Sequence, residues 1–156
     1  WTGLLIEPIP RLYVELKMKR RNVYSINACL ADKKPFVAKF LMANEISGLE
    51  DEMTRERKSF MKKRKLNNGY IYVPCFSLNT IMSALNRTTI DYFSLDVEGG
   101  ELRILKSIDF QNLNIRSFTI EWAARTNTKL QIKELIEQNG YSLREEDIYD
   151  FYFTKN

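Results

Sequence analysis

Histidine is absent from all 156 residues. That absence removes histidine-based zinc sites, the Ser-His-Asp triad and the Cys-His dyad together. Cysteine is scarce: Cys29 and Cys75 are too few and too far apart in sequence for a metal knuckle. Two readings of the pair stay open, two buried free thiols or, for a chain of the secretory pathway, a disulfide. A carboxylate-only site for Mg²⁺ or Ca²⁺ also stays open, but no EF-hand-like ladder of Asp and Asn is present, and no metal ligand is assigned. No apolar run approaches the roughly 20 residues of a membrane helix. No charged-then-apolar leader precedes a small-residue cleavage site. The first residue is Trp1 rather than Met, so the sequence reads as an excised piece, and targeting information or a membrane tether would lie upstream.

What is there is a globular composition, 44% hydrophobic and 28% charged, of a size for one domain over residues 1–156. The net charge of +4 comes from 24 basic and 20 acidic residues, and much of the excess sits in one run, RERKSFMKKRK, at residues 55–65. Such a run is usually a solvated loop or helix face. Aromatic residues do not interleave it as a base-stacking platform requires, so nucleic acid is not an expected partner. Neither the cytoplasm nor the secretory lumen is singled out by composition.

Strand and helix patterns alternate. Residues 3–7 (GLLIE) read as a buried strand, 8–20 as a helix with Pro10 in its first turn, 23–30 as a second strand and 36–42 as a third. Residues 44–69 are charged and nearly free of β-branched side chains, and they end in Asn67-Asn68-Gly69, a turn signal. They read as an insertion, partly helical and mobile. Residues 70–75 return to strand, and Ser77 caps a helix that runs to Leu85, with Leu78, Ile81, Met82 and Leu85 on one face. Residues 90–97 (IDYFSLDV) form the strongest strand pattern. A helix over 101–108, a strand over 115–122 and a helix over 130–139 ended by Gly140 follow. Residues 141–143 and 149–154 close the chain as a strand pair. This order predicts an α/β domain with a mostly parallel sheet, helices on both faces and an antiparallel pair at one edge.

Open parallel sheets bind ligands at the carboxyl ends of their strands. Three acidic positions fall there: Glu7 after the first strand, Asp96 with Glu98 just beyond it, and Glu121. Any one alone is more simply a capping or solvated carboxylate; three on corresponding ends of one sheet favour a site. A carboxylate in the place of Glu7 can accept hydrogen bonds from both hydroxyls of a ribose. A glycine-rich loop usually precedes such an acid, and none precedes Glu7 here. Gly99-Gly100 follows a different strand and lacks the G-x-G-x-x-G spacing.

Residues 1–10 (WTGLLIEPIP), 73–82 (VPCFSLNTIM) and 90–105 (IDYFSLDVEGGELRIL) resemble successive blocks of the FkbM-type methyltransferase family. The -IEP- segment, the D-V-E-G-x-E motif and a terminal G-Y before an aromatic strand occur in the family's order. The resemblance covers nearly the whole chain apart from the insertion. It implies the class I, Rossmann-like methyltransferase fold, a seven-stranded sheet of order 3-2-1-4-5-7-6 with strand 7 antiparallel, here lacking the first strand and the glycine loop.

The resemblance further implies S-adenosylmethionine as cofactor. Glu7 would bind its ribose, Cys29 and Leu30 would flank its adenine, and Asp96, Glu98 and Gly99 would line the methyl-transfer end of the cleft. Methyl transfer is an in-line displacement in which the protein aligns donor and acceptor. A hydroxyl acceptor on a sugar, a lipid or a small molecule holds its proton at neutral pH, so a carboxylate base is needed. Asp96 is the first candidate and Glu98 the second, with helix capping an equal alternative for Glu98. Without the glycine loop, the fragment alone is expected to be inactive. A non-catalytic alternative comes from the same blocks, whose wording is closer to animal members. It is an interaction module of the Star-like, membrane-tethered trafficking branch in the secretory pathway. Asn86-Arg87-Thr88, an N-x-T sequon, is consistent with it.

Overall fold

Prolines and side-chain caps set the helix starts, and β-branched and aromatic alternation sets the strands. The computed structural model describes all residues except 1, 33, 44–46, 52, 54, 66–68 and 123–125. Trp1, the start of the insertion at Asn44 and the Asn67-Asn68 turn signal therefore lie outside the described residues. The chain divides into two units, residues 1–76 and 77–156. Among the described residues no helix is long and apolar enough to cross a membrane.

The first unit opens with β1 (Leu4–Ile6), α1 (Pro10–Met18) and β2 (Tyr24–Ile26). Pro10 stands at the start of α1, where its missing N–H costs nothing. β1 and β2 pair in parallel, Leu4 opposite Tyr24 and Ile6 opposite Ile26. The expected strand over 23–30 is in fact two. The Asn27 side chain donates to the carbonyls of Glu7 and Pro8 at 2.8 and 3.0 Å, which ends β2. The chain then enters a different sheet as β3 (Cys29–Leu30).

That second sheet adds β4 (Phe36–Leu41), β5 (Gly48–Leu49) and β6 (Tyr70–Phe76), in the order β3-β6-β4-β5. β3 is parallel to β6, whereas β4 is antiparallel to both β6 and β5. Cys29 lies directly opposite Cys75, their Cα atoms 4.5 Å apart, and the two sulfurs form a disulfide. Around it pack Ala31, Ala38, Phe40 and Val73. The charged segment 44–69 supplies β5 and the expected helical part, α2 (Arg55–Lys63). Within the basic run Met61 is buried, beside Leu41, Ala43 and Met53, while Lys58, Lys62 and Lys63 are exposed. The run is a solvated helix face with one apolar anchor.

The second unit begins with α3 (Leu78–Ala84). The Ser77 hydroxyl accepts the Thr80 N–H at 3.2 Å, the predicted cap. The segment predicted as one strand over 90–97 is split into β7 (Thr89–Ile90) and β8 (Phe93–Leu95), and its partner into β9 (Asn114–Ile115) and β10 (Ser117–Glu121). Both strands break at the same level. Arg116 binds the Asp91 carboxylate at 2.7 Å and the Ser117 hydroxyl donates to the Asp91 carbonyl at 2.8 Å, while the Arg116 N–H still donates to the Ile90 carbonyl at 2.8 Å, so side chains join the main chain where the strands break. β7 pairs with β9 and β8 with β10, both in parallel.

Next come α4 (Glu101–Ser107), α5 (Thr126–Gln138), β11 (Tyr141–Glu146) and β12 (Asp150–Lys155). Gly140, after α5, has φ of 87°, the left-handed value expected of a residue past a helix end. The sheet order is β11-β12-β10-β8, with β12 antiparallel to both neighbours. The predicted antiparallel edge pair is thus present. Phe151 and Phe153 are fully buried and Tyr152 between them is not, a period of two that sends one face of β12 into the core, where Phe153 lies opposite Phe118 and Phe151 opposite Ile120.

The family-level expectation of an α/β fold agrees with these mixed sheets and their several parallel pairs. A single, mostly parallel sheet is not what the described residues form. Strands distribute over four sheets, and β4 runs antiparallel to its neighbours β5 and β6. β1 pairs only with β2, and β8 only with β10, so each has one ladder edge without a partner among the described residues.

Candidate active site

In the second unit the parallel register of β8 and β10 sets Leu95 opposite Ile120. The next residues, Asp96 and Glu121, therefore emerge side by side at the carboxyl ends of the two strands, where open sheets carry ligands. α4 starts five residues after Asp96 and contributes Glu101. Carboxylate oxygens of Asp96, Glu101 and Glu121 all lie within 4.8 Å of one another. Asp96 is exposed, Glu121 half-buried and Glu101 only 1% exposed.

Glu101 is held by the loop it follows. Its Oε1 accepts the Val97 and Gly99 N–H groups, each at 3.0 Å. Those bonds compensate a buried carboxylate and fold the D-V-E-G-G turn back on itself. The turn needs left-handed backbone at Glu98 (φ 63°) and Gly99 (φ 121°). For glycine this is free; for Glu98 it is an uncommon, costly conformation of the kind that clusters at functional sites.

Crowding of acids shapes the electrostatics. Burial, then the charge and hydrogen bond of Asp96, then Glu98 and Glu101 push the Glu121 carboxyl up to about 8. Glu121 therefore keeps its proton to higher pH than an ordinary carboxyl. Among the described residues its Oε2 is buried without a hydrogen-bond partner, as is the neighbouring Trp122 Nε1. Asp150, opposite Glu121 across the β10–β12 ladder, is also raised, by burial first and then by Asp147 and Asp96. Lys129 Nζ sits 3.7 Å from the Trp122 ring centre and is ion-paired with Glu146. Three close carboxylates also match the oxygen donors that hard divalent cations take.

In the first unit Glu7 follows β1 as predicted. Its Oε1 accepts the Ile9 N–H at 2.7 Å, and burial raises its carboxyl while that bond opposes the rise. Cys29 and Leu30 lie at the end of β3 with 4% and 7% exposure, and Cys29's sulfur is committed to Cys75. Their side chains belong to the core.

Of the residues singled out from sequence, Asp96, Glu98, Gly99 and the strand-end acid Glu121 come together in one unit; Glu7, Cys29 and Leu30 lie in the other. Glu101 and Asp150 were not anticipated as part of the site. Glu101 had a signal, as the last acid of D-V-E-G-x-E, but an acid in the first turn of a helix is ordinary. Asp150 had none, because only antiparallel pairing brings it opposite Glu121.

The family model for the methyltransferase FkbM domain matches residues 1–143. The chain belongs to this family. Comparison with curated proteins and with solved structures returned no match. Membership places the chain among methyltransferase domains, which generally depend on S-adenosylmethionine. The acids at the ends of β8 and β10 lie inside the matched region, and so does the D-V-E-G-G-E turn of the FkbM domain.

Proposed function

We propose that this FkbM domain transfers a methyl group from S-adenosylmethionine to a hydroxyl of a sugar, lipid or small molecule. One observation carries the reading: in a chain of a methyltransferase family, Asp96 and Glu121 share the carboxyl ends of adjacent parallel strands. Glu121 is the half-buried member, and its carboxyl is raised. That leaves Asp96, the exposed member, as the group within reach of an acceptor hydroxyl.

S-adenosylmethionine would supply a methyl group already activated on a sulfonium. The chain's residues would do the rest. Glu7 fits ribose hydroxyls, because Ile9 occupies one carboxylate oxygen and leaves the other without a partner among the described residues. Cys29 and Leu30 would flank the adenine, as the resemblance implies, and in the second unit Gly99, with no side chain, would leave room for a ligand at the turn. Asp96 would take the acceptor proton as the new O–C bond forms, with Glu98 as second candidate. Glu101 would hold the turn that carries both.

Calorimetric titration of S-adenosylmethionine, followed by two variants, tests this. Glu7→Ala should weaken cofactor affinity about ten- to a hundredfold, the worth of hydrogen bonds to a charged acceptor. Asp96→Asn should lower saturated turnover by roughly 10²–10⁴ and change affinity little. Absence of binding at millimolar cofactor would overturn the proposal. The second reading, a Star-like interaction module of the secretory pathway, would then lead. It is favoured by the Cys29–Cys75 disulfide, since such bonds persist in oxidising compartments.

A further inference from the structure

We propose that Asn86 carries an N-linked glycan, added in the same oxidising compartment in which the Cys29–Cys75 bond forms. Asn86-Arg87-Thr88 is the one N-x-S/T triplet in the 156 residues. The middle residue is not proline, so the triplet meets the acceptor requirement. An acceptor triplet must also be accessible to the glycosylating enzyme. Here Asn86, Arg87 and Thr88 are all exposed and lie in the turn between α3 and β7.

A structural reason for asparagine at this position exists, and it does not explain the threonine. Asn86 has φ of 53°. Its N–H donates to the Ser83 carbonyl at 3.0 Å and the Arg87 N–H to the Met82 carbonyl at 3.0 Å. These are the two bonds of a Schellman ending for α3, with Asn86 in the left-handed place that asparagine tolerates best after glycine. The motif uses only main-chain groups of residues 86 and 87. It asks nothing of a hydroxyl two residues on, which is what the glycosyl-transferring enzyme reads. Thr88 and Asn86 also line an open groove of about 290 Å³ beside the turn, so the acceptor side chain is reachable from solvent.

The disulfide is the independent observation. It lies in the other unit, shares no residue with the sequon, and is nearly sealed, at 4% and 0% exposure for its two cysteines. Disulfides form and persist where N-glycosylation also takes place, in the secretory pathway, and are rare in the cytosol. The chemical step would be ordinary glycosyl transfer. Asn86 Nδ2 forms a bond to the anomeric carbon of a lipid-diphosphate-linked oligosaccharide. The anomeric C–O bond to the diphosphate breaks, the lipid diphosphate leaves, and Nδ2 gives up one proton. None of this depends on methyl transfer, so failure of either proposal leaves the other standing.

The test is the whole natural chain expressed in cells that N-glycosylate, digested without reduction and treated with peptide-N-glycosidase in heavy-oxygen water. The expected result is a single step in gel mobility, Asn86 recovered as aspartate with one heavy oxygen, and Cys29 and Cys75 peptides still linked. Thr88→Ser should keep the step; Thr88→Val and Asn86→Gln should each abolish it. Thr88→Val leaves the Schellman bonds intact, so its loss of the step cannot be ascribed to an unfolded turn. Recovery of unmodified Asn86 from the untreated protein, or a step that persists in Thr88→Val, would overturn the proposal.

Discussion

Glutamine in place of Glu121 should remove a pH dependence that the acid cluster imposes on stability. A carboxyl whose value rises on folding binds its proton more tightly in the folded chain. Below the ordinary value of 4.5 both states are protonated and the group is neutral to stability. As pH climbs from 4.5 toward about 8, the unfolded chain sheds the proton while the folded chain keeps it, so stability falls across that window and levels off above it. The gap corresponds to roughly 5 kcal/mol at 1.36 kcal/mol per pH unit. Glu121 is only half-buried, and solvent screening should reduce this to about 1–2 kcal/mol. Glu121→Gln keeps size and shape and never ionises. It should match the parent near pH 5 and exceed it by about 1–2 kcal/mol at pH 9. Urea unfolding at intervals from pH 5 to 9, followed by tryptophan fluorescence, measures the difference. Asp150 is raised by the same neighbourhood and will leave a residual slope. A variant whose pH slope equals the parent's, or a parent that gains stability from pH 5 to 8 through this residue, would refute the reasoning.

Replacing Cys29 and Cys75 with serine opens a 46-residue separation and should cost about 2–4 kcal/mol, read as a lower urea midpoint absent when both proteins are reduced. Glu101→Ala strips the Val97 and Gly99 N–H groups of their acceptor and should destabilise by about 2–3 kcal/mol, with Glu101→Gln losing clearly less; equal losses would mean that the two bonds contribute little. Arg20 ends α1 exposed and with φ of 49°, so Arg20→Gly should raise the melting temperature, by about 0.5–1 kcal/mol in stability, and a drop would show that the strain is not there.

Local signals carried most of the elements. Ser77 at a helix start, Gly140 at a helix end and the alternation of Phe151, Tyr152 and Phe153 each state a preference that neighbouring residues satisfy. The failures occurred where a distant side chain intervened. Asn27 ends β2 by binding carbonyls about twenty residues earlier, and Arg116 and Ser117 interrupt β7–β8 by binding Asp91. Neither interruption changes the hydrophobic pattern of its own segment, so periodicity reads straight through it. Sheet membership was hidden for the same reason. Residues 36–41 look like any half-buried strand, and only pairing shows that they run antiparallel to residues 70–76.

The acid cluster was legible to the extent that strand ends were. Position in a parallel sheet is enough to suspect Asp96 and Glu121, since register converts two strand ends into neighbours. It is not enough to rank them. Asp96 and Glu121 occupy equivalent places, and they separate only through burial: Asp96 is exposed, while Glu121 is half-buried with a sealed oxygen. Desolvation then raises the Glu121 carboxyl. Glu101 shows the converse. As the acid of a first helical turn it resembles a solvated cap, yet at 1% exposure it would be among the most costly groups in the unit if the turn did not turn two N–H groups toward it. The left-handed Glu98 and Gly99 are what that arrangement requires. The D-V-E-G-G-E motif therefore specifies a loop shape as much as a set of acids, and a substitution that spares every charge but stiffens residue 99 would still dismantle the site.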